Sequence, residues 1–255
     1  MPLPLLQEFD GPALDEDVWL PSYLPAWSSR RAAAATYSLD GSGLRLRLPP
    51  GTGAWCPETH APPLRVSGIQ SGNFSGPVGS TVGQQPFRDG LPVSEEQPRF
   101  EGHLQDGGRL EIRCRMLLSP RSMAAFWLVG LEDEPERCGE ICVTEVFGRA
   151  VEPGRSAEVG MGLHAFRDPG LTENFEAPRL AIDVAEPHRY AVAWDRELAV
   201  FSVDDQEVRR CPRPPAYPLQ MMLAVFDFPA WSEGDDDHLV PEIVVDWIRG
   251  EGPAA

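Results

Sequence analysis

The chain has 255 residues, and a hydrophobic fraction of 42% is enough for a buried core and argues against general disorder. All 22 basic residues are arginine, 39 residues are acidic, and the net charge is −17. Such a charge repels phosphate groups, so we expect neither nucleic acid nor a membrane surface as a partner. A neutral substrate is favoured over a strongly anionic one.

The first residues, MPLPLLQEFDG, do not resemble a signal peptide, because they lack a basic segment and their apolar stretch ends at Gln7. The longest uncharged apolar run, 123–131, is shorter than the about 18 residues that a membrane-spanning helix needs. We therefore predict a cytoplasmic protein, or a secreted one if a leader was removed. The five cysteines form no C-x-x-C pair and are predicted to be reduced thiols.

Alternation of apolar and polar residues predicts β-strands at residues 44–48, 110–116, 190–194 and 199–203. With 27 prolines and 24 glycines, the chain leaves little room for a long helix. The Gly/Pro/Gln-rich stretch 76–105 is predicted to form a long loop or a pair of loops. The pattern predicts an all-β fold of two stacked antiparallel sheets, a sandwich or jelly roll, as a single domain over residues 1–255 and as a monomer.

Residues 139–148, GEICVTEVFG, place two glutamates five positions apart. On a regular strand Glu140 and Glu145 would point to opposite faces, but a β-bulge adds one residue and would bring both to one face. Two carboxyl groups about 5–5.5 Å apart are what a retaining glycosidase needs. Two glutamates at this spacing also occur by chance, so the spacing alone leaves their role open.

The segment from Glu140 to Glu145, EICVTE, resembles the E-x-D-x-x-E signature of the laminarinase-like, bulged branch of glycoside hydrolase family 16. Other segments resemble parts of that family in the same order along the chain: 8–11 (EFDG), 108–113 (GRLEIR), 125–128 (AFWL), 188–194 (HRYAVAW) and 245–249 (VDWIR). The resemblance implies a concanavalin A-like β-sandwich.

The resemblance also implies roles for individual residues. Glu140 would be the nucleophile, and Glu145 would be the general acid and base. Cys142 stands where the family has its central aspartate, which hydrogen-bonds the nucleophile there. A thiol is a weaker hydrogen-bond donor, so the activity is expected to be slow, altered or absent.

Further residues are matched to the substrate cleft of the family. Trp127 would lie near the central subsite, or else in the core, and Met123 stands where the family often has a sugar-stacking tryptophan. Four other candidates for substrate contact, each of which also fits a structural role, are Gln70, Arg113, His164 and Trp231.

Metal binding has weak support in the sequence, which contains no H-E-x-x-H motif. Residues 235–237, three aspartates, lack the spaced ligands of a calcium loop and are predicted to form a solvated loop. No cofactor is expected to be required. The resemblance implies one possible structural calcium ion, held by Glu8, the Gly41 carbonyl group and Asp246.

Together these observations predict a retaining endo-β-glycosidase, of the β-glucan or β-galactan type, or a transglycosylase that uses the same intermediate. The alternative is a non-catalytic, lectin-like glycan-binding module, and a third possibility is a structural domain that kept only the fold. The pair of glutamates favours the enzyme, because a lectin has little reason to keep two mutually repelling acids in one groove.

Overall fold

The computed structural model of the protein describes residues 4–41, 43–234 and 239–252. It is almost entirely β-structure, with 4% of residues in helices and two large antiparallel sheets. The predicted all-β sandwich of the jelly-roll kind is confirmed. The acidic segment 235–237, predicted to be a solvated loop, lies outside the described residues.

Three short 3-10 helices lie in the described part of the chain, at Pro25–Trp27, Gly148–Ala150 and Pro229–Trp231. None of the helices in that part has the length and apolar character needed to cross a bilayer. The strands, in chain order, are β1 (Leu5–Gln7), β2 (Tyr37–Leu39), β3 (Leu44–Arg47), β4 (Arg65–Gln70), β5 (Gly72–Asn73), β6 (Phe100–Glu101), β7 (Leu104–Gln105), β8 (Gly108–Leu117), β9 (Ser122–Gly130), β10 (Glu140–Phe147), β11 (Val151–Glu152), β12 (Ser156–Glu158), β13 (Gly160–His164), β14 (Asn174–Glu176), β15 (Arg179–Leu180), β16 (His188–Trp194), β17 (Leu198–Val203), β18 (Gln206–Pro212), β19 (Leu219–Asp227) and β20 (Glu242–Glu251).

Two sheets form the sandwich. The first, named the back sheet here, has the strand order β18-β17-β16-β8-β20-β3-β2, with β1 also paired to β20. The second, named the groove sheet, has the order β14-β13-β10-β9-β19-β4, with β7 also paired to β19. The strands predicted from alternation correspond to β3, β8, β16 and β17, with small shifts at their ends.

The core lies between these two sheets. Along β8 buried and half-buried positions alternate, and Leu110 and Ile112 point into the core. Phe126 and Leu128 on β9 face them from the groove sheet. Burying each such side chain contributes about 1.5–3 kcal/mol. Every second residue of a strand faces the core, so the buried positions recur with a period of two, and this period predicts the strands.

The groove sheet is covered on both faces. Strands β9 and β19 are buried along their whole length, and their outer faces pack against loop residues such as Trp27, Trp55 and Leu91. The described residues 76–99 contain no strand, as predicted, but the last part of the predicted loop 76–105 forms the short strands β6 and β7, which pair with β5 and β19. These loops cover part of the outer face of the groove sheet, and the part that they leave uncovered forms an open groove.

Candidate active site

Strand β10, which carries both candidate carboxylates, contains the predicted bulge. Against β9, Cys142 pairs with Trp127 and Thr144 pairs with Phe126, so two steps along β10 match one step along β9. The register against β13 shifts over the same stretch. The extra residue, Val143, resets the alternation of faces. The bulge expected from the sequence is therefore confirmed.

The bulge puts both glutamates on the same face of the groove sheet. Before the bulge, Glu140 faces the groove while Ile141 lies in the core. After it, Glu145 faces the groove while Val146 lies in the core. Without the extra residue, Glu145 would point into the apolar core.

A glycine on the neighbouring strand leaves room for Glu145. Gly160 on β13 is its partner across the pair of strands. A Cβ atom at Gly160 would lie 2.5 Å from the Phe175 ring and 3.2 Å from the Glu145 Cβ atom. A larger residue at position 160 would therefore displace one of these two side chains.

The two carboxylates lie in a groove with a volume of ≈ 420 Å³. A mostly apolar lining with a few convergent polar groups is typical of small-molecule sites. Aromatic side chains can pack against the apolar faces of sugar rings. The apolar lining consists of Tyr23, Leu64, Met123, Ala125, Trp127, Phe147, Phe166, Phe226 and Phe228, and the polar lining of Gln85, Glu140, Cys142, Glu145 and His164.

Glu140 is buried, and within the described residues no ion pair joins it to a basic side chain. Burial raises the pKa of Glu140 well above its ordinary value, and the neighbouring Glu145 raises it further. The amide of Gln85 opposes both effects, because its Nε2 donates a hydrogen bond to Glu140 Oε2 over 3.1 Å. An acid in such a place is costly to ionise, which is a common sign of a functional site.

Burial raises the pKa of Glu145 to about 7. This carboxyl group therefore keeps its proton in mildly acidic solution, as a general acid must. The pKa of both carboxyl groups is therefore raised in the free protein, and a charge on Glu145 raises that of Glu140 further. The hydrogen bond from Gln85 favours the negative charge on Glu140.

Cys142 lies in the groove between the two glutamates along β10. Burial raises the pKa of its thiol well above the ordinary value, and Glu145 and Glu140 add to this effect. The thiol donates to the carbonyl oxygen of Gly160 over 3.9 Å, a weak interaction directed across the sheet. Cys142 therefore stays neutral and gives Glu140 little support.

Most of the predicted substrate-contact residues lie at or beside this groove. Trp127, Met123 and His164 line it, and the buried indole nitrogen of Trp127 has no hydrogen-bond partner among the described residues. Trp231 stands at its end, where its ring stacks on Phe228 with centroids 4.2 Å apart.

Two predicted contacts are not part of the groove. Gln70 is fully buried, and its amide accepts a hydrogen bond from the Leu24 backbone and donates to the Gly72 carbonyl oxygen. Arg113 lies on the back sheet, where it forms an ion pair with Asp246. Its side chain points away from the core on the far side of the sandwich, so it cannot contact a ligand beside Glu140.

The residues matched to a calcium ion do not fit one. Asp246 is paired with Arg113, and Glu8 lies 3.8 Å from the guanidinium group of Arg249. Guanidinium groups repel a cation that needs about six to eight oxygen ligands. Gly41, the third position, forms a turn with φ of 80°. Across the described ranges, no cluster of three or more His, Cys, Asp or Glu side chains could hold a metal ion.

Several groove residues were not identified from the sequence. Phe147 could have been, because it lies two residues after Glu145 and the bulge places both on one face. Tyr23, Gln85 and Phe166 come from loops, and loop side chains carry no periodic signal. Burial is the main cause of the raised pKa of Tyr23, and the nearby carboxylate of Glu140 raises that pKa further.

The chain belongs to the glycosyl hydrolases family 16, whose family model matches residues 107–249. This match confirms the resemblance to the family. A comparison with curated protein sequences found no match.

Solved structures share the fold at low sequence identity. The GlcNAcα1-4Gal releasing endo-β-galactosidase from Clostridium perfringens has a TM-score of 0.79 and 23% identity, covering 96% of this chain and 61% of that one. A laminarinase from Flavobacterium sp. UMI-01 has a TM-score of 0.63 and 18% identity, covering 96% and 98% of the two chains. A Bacillus licheniformis β-glucanase has a TM-score of 0.60 and 13% identity, covering 98% of each. The chain thus spans about three fifths of the length of the first protein.

Proposed function

We propose that the protein is a retaining endo-β-glycosidase that acts on a β-glucan or β-galactan type of polysaccharide or oligosaccharide, by hydrolysis or by transfer. The bulge in β10 carries this proposal, because it places Glu140 and Glu145 together in one apolar groove. A buried and a half-buried acid with no basic partner among the described residues are unfavourable for stability, and a retaining glycosidase requires such a pair.

The two residues take different parts in the reaction. The Glu140 carboxylate attacks the anomeric carbon and forms a C–O bond, while the glycosidic C–O bond breaks and Glu145 gives its proton to the leaving oxygen. Glu145, now a carboxylate, then takes a proton from water or from an acceptor hydroxyl, whose oxygen attacks the anomeric carbon and releases Glu140. Two inversions at this carbon leave the product with the configuration of the substrate.

The groove supports a neutral glycan as substrate. Its lining is mostly aromatic and aliphatic, and the net charge of −17 disfavours a strongly anionic chain. The fold likeness to an endo-β-galactosidase makes β-galactosides with terminal GlcNAcα1-4Gal worth including beside the glucans. Cys142, a neutral thiol beside the nucleophile, is the observation that favours a lectin-like function instead.

The proposal is tested on a panel of β-1,3-, β-1,4- and mixed-linkage glucans, galactans and GlcNAcα1-4Gal-bearing glycans. Wild-type protein should cut at least one into oligosaccharides, Glu140→Gln should not, and Glu207→Gln should match the wild type because Glu207 is exposed on β18. Full activity of Glu140→Gln would refute the site. Binding of glycans without cleavage of any would support the lectin-like alternative.

A further inference from the structure

The side chain that supports Glu140 comes from the long loop rather than from β10. Gln85 lies between β5 and β6 and reaches the carboxylate with its amide Nε2, 3.1 Å from Glu140 Oε2. Among the described residues it is the one hydrogen-bond donor to this carboxylate. The nearest candidate on the strand, Cys142, donates to the Gly160 carbonyl oxygen instead.

The backbone of Gln85 is held firmly in an unusual conformation. Its φ of 43° lies in the left-handed region, which is unfavourable for a residue with a side chain. Its N–H donates to Glu132 Oε1 over 2.5 Å, and the other oxygen of Glu132 pairs with Arg167. Because Glu132 is almost fully buried, this bond fixes where the loop turns and where the amide of Gln85 points.

The amide of Gln85 makes little other use of its polar atoms. Its Oε1 is buried without a hydrogen-bond partner among the described residues. A buried polar atom without a partner lowers stability, so the amide is unfavourable for packing. A strained backbone and a buried oxygen without a hydrogen bond both lower the stability of the fold. Such features are concentrated at functional sites.

We propose that Gln85 is a positioning residue for the reaction, which holds the Glu140 carboxylate in place and favours its charged form. This role is one that the thiol of Cys142 cannot fill. Glu132 and Arg167 act further out, because they hold the loop that carries Gln85. The inference rests on the proposed function in so far as Glu140 is the nucleophile.

The surroundings of Glu140 explain why one neutral donor matters. Most of the titratable groups facing it are acids, a thiol or a phenol, and one is an imidazole that pairs with an acid. They are Glu145 and Cys142 on β10, His164 on β13, and Tyr23, Glu132 and Glu173 from the loops. Burial and the neighbouring acids raise the pKa of Glu140, while the Gln85 hydrogen bond lowers it. Removing that donor should make ionisation of Glu140 harder.

The first test measures Glu140 directly. Gln85→Met keeps the length of the side chain and the backbone N–H but removes the amide donor. Gln206→Met makes the same change at an exposed position of β18. The Glu140 carboxyl group is titrated by NMR in protein carrying ¹³C at the glutamate carboxyl carbons, and its signal is assigned with Glu140→Gln. The pKa of Glu140 should rise in Gln85→Met and stay unchanged in Gln206→Met, with the melting temperature preserved.

An unchanged pKa of Glu140 in folded Gln85→Met would overturn the assignment. If Gln85→Met does not fold, Gln85→Asn replaces it, since asparagine tolerates the left-handed region and its amide is too short to reach Glu140. The same rise of the pKa is then expected, and its absence has the same meaning.

A kinetic test separates this inference from the proposed function. On any glycan that the wild type cleaves, Gln85→Met should lower kcat/KM about tenfold on the acidic side and move the acidic limb to higher pH, because loss of a hydrogen bond to a charged group has this size. A raised pKa of Glu140 without any glycan cleavage would refute the proposed function alone. Cleavage with an unshifted pKa and acidic limb would refute the role of Gln85 alone.

Discussion

On the back sheet, carboxylates are paired with arginines near solvent, whereas in the groove Glu140 is buried and Glu145 half-buried, with no basic partner among the described residues. Arg113 pairs with Asp246, and Arg189 pairs with Asp205 over 2.6 Å. These side chains are at least a quarter exposed. Pairs of this kind contribute about 0–1 kcal/mol each, and they require no special explanation.

The groove shows the opposite arrangement, although Asp227, elsewhere on the same sheet, is buried and paired with Arg65 and Arg121. Burial raises the pKa of both Glu140 and Glu145, and each acid lowers the stability of the fold when it is charged. The two sheets share one core and one backbone pattern, so the fold itself does not demand these acids. This difference is the one that the proposed glycoside chemistry in the groove predicts.

The largest expected effect follows from Glu140→Gln. Turnover should fall by about 10⁴-fold or more, because the amide cannot form the covalent intermediate. The melting temperature should stay the same or rise, since an acid that is costly to ionise is replaced by an amide of nearly the same shape. Glycan cleavage and thermal unfolding, measured on the same variant, test both points. A lower melting temperature with retained activity would show that Glu140 serves stability and not catalysis.

Glu145→Gln should lower turnover of natural glycans by about 10²–10⁴-fold through loss of the general acid and base. Substrates with a good leaving group should still form the intermediate, and azide should then restore turnover and yield a glycosyl azide of retained configuration. Product analysis by NMR measures this outcome. Failure of azide to change either rate or product would argue against this role for Glu145.

The pH dependence of stability has a defined sign. The pKa of Glu145 is about 7 in the folded protein against an ordinary value of 4.5, so the folded state binds this proton more tightly than the unfolded chain. The proton on Glu145 therefore stabilises the folded state by up to about 3 kcal/mol. This stabilisation is fully present below pH 4.5 and is lost as the pH rises through 7. Glu145→Gln should remove this part of the slope in unfolding experiments between pH 5 and pH 8, and an identical slope would contradict the assignment.

Cys142→Asp should change the pH–rate profile by placing a hydrogen-bonding carboxyl group beside Glu140. The expected change in rate is within about tenfold, the size of one hydrogen bond to a charged group. Cys142→Asn is the matched control without an ionisable group. If all three proteins have the same profile and rate, position 142 does not influence the nucleophile.

The smallest effect is expected on the back sheet. Arg113→Ala and Asp246→Ala should each change stability by about 1 kcal/mol or less and leave glycan cleavage unchanged. Calcium or a chelator should not shift the melting temperature, because the carboxylates concerned face arginines. Calcium-dependent stabilisation by several degrees would show that the ion displaces these pairs.

Local patterns predicted the strands, because alternation shows which face a residue takes along one strand, whereas the bulge was expected from the resemblance of residues 140–145 to the family signature. The same patterns could not place Arg113, since alternation shows that a side chain points outward but not in which sheet its strand lies. Arg113 is on β8 of the back sheet, opposite to the groove.

Gln85 could not be predicted for a different reason. Its position depends on a hydrogen bond to Glu132, 47 residues away, and on a left-handed backbone that no local sequence signal required. Loops fixed by such distant contacts carry no periodicity. The stretch 76–105 was predicted to be a loop, but the sequence did not indicate which of its residues would reach Glu140.

The retaining mechanism of Glu140 and Glu145 is tested most directly by the anomeric configuration of the first product that the wild-type protein forms. A β-linked glycan from the panel that is cleaved is followed by ¹H NMR at early times, before the released sugar equilibrates in solution. We expect the new reducing end to appear first as the β-anomer, because Glu140 and Glu145 act in two successive inversions. Initial appearance of the α-anomer would contradict it.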